Sequence, residues 1–179
     1  MRPARVLAAY QALLYKRPYI TNSATTAVLA AAGDGIAQVV FERKKYDGAR
    51  TMRMFIFGAM IGPVVTKWYR YLDSVVGHEL TAKRLAVKLA TDQILFAPAC
   101  QSLSISFVAL LEGKRVVEEV RTNFKDVLLA SYKIWPFVQV LNFSLVPLQY
   151  RTLFVQVVAL GWNTYFTWKL HKDNADIKH

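Results

Sequence analysis

The sequence predicts an all-α fold: a polytopic bundle of four to five membrane segments with proline-induced kinks, preceded by a short amphipathic helix. Three observations predict it. Apolar residues make up 54% and aromatic residues 13% of the 179, more than an ordinary soluble domain carries. The 20% that are charged gather between apolar runs, as loops around buried segments do. The last third, Trp135 to His171, is almost continuously apolar yet holds Gln139, Asn142, Gln149, Arg151, Gln156 and Asn163. Amides among bulky apolar side chains need partners or water if hydrocarbon surrounds them. The length fits a single domain, 1–179.

Residues 1–19 carry Arg2, Arg5, Lys16 and Arg17, and the first acid is Asp34. Val6, Tyr10, Leu13 and Leu14 fall near one helical face, giving a basic amphipathic helix that reads as a mitochondrial targeting segment or as an interfacial anchor. The first apolar segment, 20–41, has about the 20 residues that cross ~30 Å of hydrocarbon. Its Ala, Thr and Gly favour close helix approach over lipid contact. Asp34 and Gln38 lie one turn apart on it; Asp34 is either a functional acid or the partner of a loop cation. A basic loop at 42–53, with Arg43, Lys44, Lys45, Arg50 and Arg53, leads to the segment 54–66. There Gly58 and Gly62 have the spacing that lets another backbone come close, and Pro63 follows. Trp68 and Tyr69 suit a headgroup layer, and residues 70–88 read as a polar connection.

The third segment, 89–111, opens with Lys88 and Asp92 four residues apart, spacing that predicts an ion pair at the membrane boundary. Gln93, Ala97, Cys100, Gln101 and Ser104 share one helical face, a wettable stripe that suits an aqueous path or a tight helix contact. Pro98 bends the helix. The mixed charge of 112–126 fits a surface helix or loop. Segments 127–148 and 152–168 follow, with Pro136 a bending position in the first and Pro147 a surface turn or kink between them. Ser131, Trp135, Gln139 and Asn142 form a polar stripe on one, and Thr152, Gln156, Asn163 and Thr167 on the other. Facing stripes make a hydrogen-bonded seam or line a narrow pore. Lys133, a turn inside its segment, must snorkel, face water or meet an acid, for which Asp92 and Asp34 are the candidates.

The net charge of +11 reads as contact with anionic headgroups, because the cations flank apolar runs and do not line one face. Nucleic acid is not an expected partner. A single cysteine, Cys100, excludes an intramolecular disulfide and a zinc site built on several thiolates. No Gly-rich phosphate loop, HExxH or GxSxG occurs, and His78, His171 and His179 lie outside the apolar segments. No metal, cofactor or enzymatic activity is therefore expected.

Several motifs recur in one order: Arg17-Pro18, Gly33-Asp34 with Gln38, Trp68-Tyr69 with Leu72, and Asp92-Gln93 with Phe96-Ala97-Pro98. The carboxyl third adds Trp135-Pro136, Gln139, Asn142-Phe143, Val146-Pro147-Leu148, Tyr150-Arg151 and Trp162-Asn163-Thr164-Tyr165. On these the chain resembles the Mpv-seventeen/peroxisomal membrane protein twenty-two family over nearly its whole length, closest to the fungal stress-inducible branch. The resemblance implies an integral protein, usually of four spans, in the mitochondrial inner membrane or alternatively the peroxisomal membrane. It also implies metabolite passage and a part in mitochondrial homeostasis.

The expectation is a channel or pore for small solutes, lined by Gln93, Cys100, Ser104, Gln139, Asn142 and Asn163, with Asp92 and Lys133 setting charge selectivity and Asp34 a further candidate. Gly58, Gly62, Pro63, Pro98, Pro136 and Pro147 are the packing and bending positions. A non-conducting structural protein and a selective carrier are the alternatives. Membrane lipid and small solutes are the expected partners, and a homo-oligomer is allowed.

Overall fold

The computed structural model describes the backbone of residues 3–42, 45–79 and 81–176 and the side chains of residues 8–42, 45–79 and 81–165. Arg2, Arg5, Val6, Arg43, Lys44, Thr167, His171 and His179, named above, lie outside the described side chains. Among the described residues the regular elements are all helical. Helix α1 (Pro3–Lys16) stops where Pro18 forces Arg17 out of the helical region, to φ −138° and ψ 63°. Of its predicted apolar face Leu14 is buried and Leu13 exposed. Tyr10 Oη, 3.1 Å from Thr25 Oγ1, ties α1 to α2 (Pro18–Ile36). A π-helical turn, Ala37–Phe41, continues α2.

Asp47 caps α3 (Gly48–Val76) by accepting from the backbone N–H groups of Ala49 and Arg50, and Gly77 at φ 97° ends it. The polar connection expected over 70–88 is therefore mostly helix. Polarity marks where a helix leaves apolar surroundings, not where it stops. Thr81 caps α4 (Ala82–Thr91), which runs through a second π-helical turn, Asp92–Phe96, into α5 (Ala97–Leu111) with Pro98 in its first turn. The carbonyl of Gln93 in that turn accepts from Tyr132 Oη at 3.0 Å.

Gly113, at φ 68°, turns the chain into α6 (Val116–Leu145), so most of 112–126 is helix. Pro63 and Pro136 sit inside α3 and α6. Val146 is extended, at φ −98° and ψ 122°. With Pro147 it separates α6 from α7 (Leu148–Asp176).

Helices α2 and α3 share the most extensive interface. A Cβ at Gly58 would stand 2.5 Å from the carbonyl oxygen of Thr26, and one at Gly62 would stand 2.8 Å from that of Asn22; only hydrogen fits between these backbones. Helix α7 lies against α2, where Thr164 Oγ1 donates to the Gly33 carbonyl at 3.2 Å. One apolar cluster joins Met54, Phe57, Ile61, Ile105, Val108, Val127 and Trp162; another joins Tyr69, Leu72, Phe143 and Val155. The outer surface exposes Val28, Val39, Phe41, Ile94, Leu95 and Phe137, the kind of surface that lipid covers. By length and composition Pro18–Phe41 (24 residues) and Ala82–Leu111 (30 residues) can cross a membrane. The amides and cations of α3, α6 and α7 leave those helices less apolar.

Candidate functional site

Helices α2, α3, α5, α6 and α7 and the turn Asp92–Phe96 line a partly open chamber of about 120 Å³, room for several waters or one small organic molecule. Its α5 wall is the stripe of Ala97, Cys100, Gln101 and Ser104, with Asp92, Gln93 and Phe96 below it in sequence. Trp135 and Gln139 come from α6, and Gln156, Trp162 and Asn163 from α7. Thr26, Phe57, Ile61 and Tyr69 close it on the side of α2 and α3. The wall is mainly apolar and aromatic. Helical spacing produces it: residues three, four or seven apart on each rod turn the same way.

Six of the residues proposed from the sequence meet here: Asp92, Gln93, Cys100, Ser104, Gln139 and Asn163. Three others stand elsewhere. Lys133 is exposed, because it lies two residues, roughly 200° around the helix, from Trp135. Neither acid offered to it is its partner. Asn142 is fully buried behind Gln139, to whose Oε1 it donates at 3.0 Å. Asp34 lies at the loop end of the bundle. There Arg50 Nε donates to its Oδ1 at 2.7 Å, and Gln38 Nε2 and Thr51 Oγ1 donate to its Oδ2 at 2.8 and 2.7 Å. Arg50 also reaches Glu42 at 2.7 Å, so Asp34 is the partner of a cation beside the loop.

Asp92 does not pair with Lys88. Trp68 Nε1 donates to its Oδ1 at 2.9 Å and Gln93 Nε2 to its Oδ2 at 2.8 Å. Phe96 stacks on Trp68 with centroids 4.7 Å apart and fixes the indole. Lys88 instead pairs with buried Asp73, to which Arg151 Nη1 also donates at 2.5 Å, with His78 Nδ1 3.1 Å away. Asp73 lies beyond the apolar segment of α3. Burial opposes its ionisation, but the hydrogen bonds from Lys88 and Arg151 and the charge of Arg151 outweigh this and hold its carboxyl below the usual range. The buried carboxylate of Asp73, which Arg151 also approaches from α7, takes Lys88 in place of the acid four residues along its own helix.

Tyr69 was not among the proposed site residues, and it is central. Its hydroxyl accepts from Gln139 Nε2 at 2.8 Å, which joins α3 to the amide pair on α6. The signal was present as Gly58, Gly62, Thr66 and Tyr69 at intervals of four, four and three. Tyr69 also lines a second cavity of about 170 Å³, with Leu14, Pro18, Asn22, Thr66 and Thr152. At the other end a third, of about 440 Å³, is bordered by Gln38, Glu42, Arg50, Arg53, Glu112 and Lys114.

Several polar atoms of chamber-lining residues have no hydrogen-bond partner among the described residues. These are Gln93 Oε1, Trp135 Nε1 and both amide atoms of Gln156. A buried amide left unbonded costs about 1–3 kcal/mol per group, so such atoms point to water or a solute. Among the described residues no group of three or more His, Cys, Asp or Glu is placed to hold a metal ion.

The profile of the Mpv17/PMP22 family matches residues 109–167, from the end of α5 into α7. Protein sym-1 of Neurospora crassa is 40% identical over 168 residues, covering 91% of this chain and 98% of its own. Protein sym1 of Aspergillus oryzae is 42% identical over 158 residues, 86% of this chain and 91% of its own. The mitochondrial inner membrane protein Mpv17 of Xenopus laevis is 37% identical over 172 residues, 92% and 96% of the two chains. No solved structure matches. With relatives at this identity along nearly their whole length, the chain belongs to the Mpv17/PMP22 family and is a protein of the mitochondrial inner membrane.

Proposed function

We propose that the chain is a pore for small solutes across the inner membrane, held closed in this conformation. The observation that carries it is the central chamber, whose wall includes Gln93, Trp135 and Gln156, each with a buried polar side-chain atom that has no hydrogen-bond partner among the described residues. The order of the cavities supports it. Along α2 the three are met at Asn22, then Thr26 and Ala30, then Gln38; along α3 at Thr66 and Tyr69, then Phe57, then Arg53 and Arg50. They stand in series along the helices. Tyr69 lies between the first two, and Met54, Ile105, Val108 and Val127 pack between the chamber and the third. Conduction requires these two layers to part.

In this reading α2, α3, the rod from α4 to α5, α6 and α7 all cross the membrane, and α1 lies at its surface. The outward apolar side chains meet lipid, and a second copy of the chain is an allowed neighbour. The pore carries out no chemical step. Its part in homeostasis and the stress response is the controlled leak of solutes. Asp92, the charged residue of the chamber wall, sets its preference for cations over anions, without Lys133.

Purified protein in planar bilayers is expected to pass ionic current, and Asp92→Asn to lower its cation preference. Absence of current from well-folded protein over a range of voltages and redox conditions would overturn the pore. A non-conducting structural role is favoured by one observation, the Asn142–Gln139–Tyr69 chain, which fastens α6 to α3. It predicts that Gln139→Leu lowers thermal stability and leaves solute flux unchanged.

A further inference from the structure

We infer that the chamber is a binding site for an uncharged, planar molecule carrying an amide-type donor and acceptor; this rests on its being reached from water, as the pore reading has it. Gln156 is only 4% exposed, and neither its Nε2 nor its Oε1 has a partner among the described residues. A side chain placed for packing alone would be apolar, or would bond a neighbour, as Gln139 does. Gln156 instead brings an unbonded donor and an unbonded acceptor to the chamber wall. Trp135 Nε1 adds a second donor and Gln93 Oε1 a second acceptor. A carboxamide or lactam edge presents the complementary pair.

The rest of the wall fixes shape and charge. Phe57, Phe96, Trp135 and Trp162 give aromatic faces that suit a flat ring. Among the described residues no lysine or arginine lines the chamber, and Asp92 does. Both oxygens of Asp92 accept hydrogen bonds, from Trp68 and Gln93. An anion would enter a low-dielectric site with a carboxyl in its wall and, among the described residues, no cation to offset it. The ligand is therefore neutral where it binds.

Nicotinamide and nicotinate separate these requirements, since they share a ring and differ in an amide against a carboxylate. Equilibrium dialysis of the full chain in nanodiscs, with empty nanodiscs subtracted, reads their binding directly. Saturable nicotinamide binding at one per chain is expected, at least tenfold tighter than nicotinate. Protection of Cys100, the sole cysteine and a wall residue, from N-ethylmaleimide by nicotinamide places it in the chamber. Gln156→Leu should weaken nicotinamide about tenfold through its lost hydrogen bonds, and Asp92→Asn should narrow the gap between the two probes. Equal binding of both, binding of neither, or unchanged affinity in folded Gln156→Leu overturns the inference. The wild-type comparison decides it even where a variant does not fold. Binding without bilayer current removes the pore and keeps the ligand class; current without binding does the reverse.

Discussion

Replacing Gly58 by alanine adds one methyl group where α2 and α3 touch, and the structure fixes what it meets. The new Cβ would lie 2.5 Å from the Thr26 carbonyl oxygen and 2.7 Å from Ala27 Cα. Both are backbone atoms in the middle of a helix and cannot swing aside. Restoring ordinary contact at 3.4 Å requires the helices to part by about 1 Å, a gap that forfeits roughly a quarter to a half of each contact's dispersion well. Overpacking of this kind costs ~1–3 kcal/mol, while alanine in place of a helical glycine returns up to ~1 kcal/mol. Relative to glycine-to-alanine controls that make the same gain, the loss is ~1–3 kcal/mol, or roughly 2–12 °C in Tm for a chain of this length. Thermal unfolding in one detergent, followed by far-UV circular dichroism, measures it. Gly35→Ala and Gly161→Ala, where the added atom has nothing within 4 Å, are the controls and should melt at or above wild type. If Gly58→Ala melts with the controls, α2 and α3 are not in this contact and the packing is refuted.

Asp73→Asn leaves Lys88 and Arg151 buried without their counter-charge and should destabilise by ~3–5 kcal/mol in denaturant titration. Because folding lowers the Asp73 pKa, its contribution is complete above the unfolded carboxylate range, near pH ~4, and is lost as pH falls through the lower folded value. Wild-type melting should therefore drop on acidification below pH ~4, more steeply than that of Asp73→Asn; equal slopes would refute the network. Tyr69→Phe removes the acceptor of Gln139 Nε2 and should cost ~1–3 kcal/mol by the same titration, whereas Tyr71→Phe, exposed on the same helix, should cost nothing measurable. Lys133→Gln should leave the ion preference of any bilayer current unchanged; a shift would bring Lys133 back to the pore.

Much of the chamber was legible in the sequence because its walls are single helical faces. Gln93, Ala97, Cys100, Gln101 and Ser104 share a stripe by spacing alone, and all five line it. Trp135 with Gln139, and Gln156 with Asn163, follow the same rule on α6 and α7. Period reveals which residues share a face but not which way the face turns, and so Lys133 was misplaced. Local spacing likewise misassigned Lys88 to Asp92. The acid it meets is 15 residues away in sequence, and that acid's second cation is 78 residues away.

The sequence by itself determined that this chain is helical, that its apolar runs suit a membrane, and which family it belongs to. Those properties reside in composition, 3.6-residue periodicity and ordered motifs, all local along the chain. Only the tertiary structure decided whether the amides meet one another or open space. It splits them: Asn142 and Gln139 bond in a chain to Tyr69, while Gln156, on the chamber wall, has no partner among the described residues. The physical reason is that an amide's partner is set by how closely and at what rotation two helices pack. Here Gly58 and Gly62 set how closely α3 packs on α2, the helix against which α7 and its Gln156 lie.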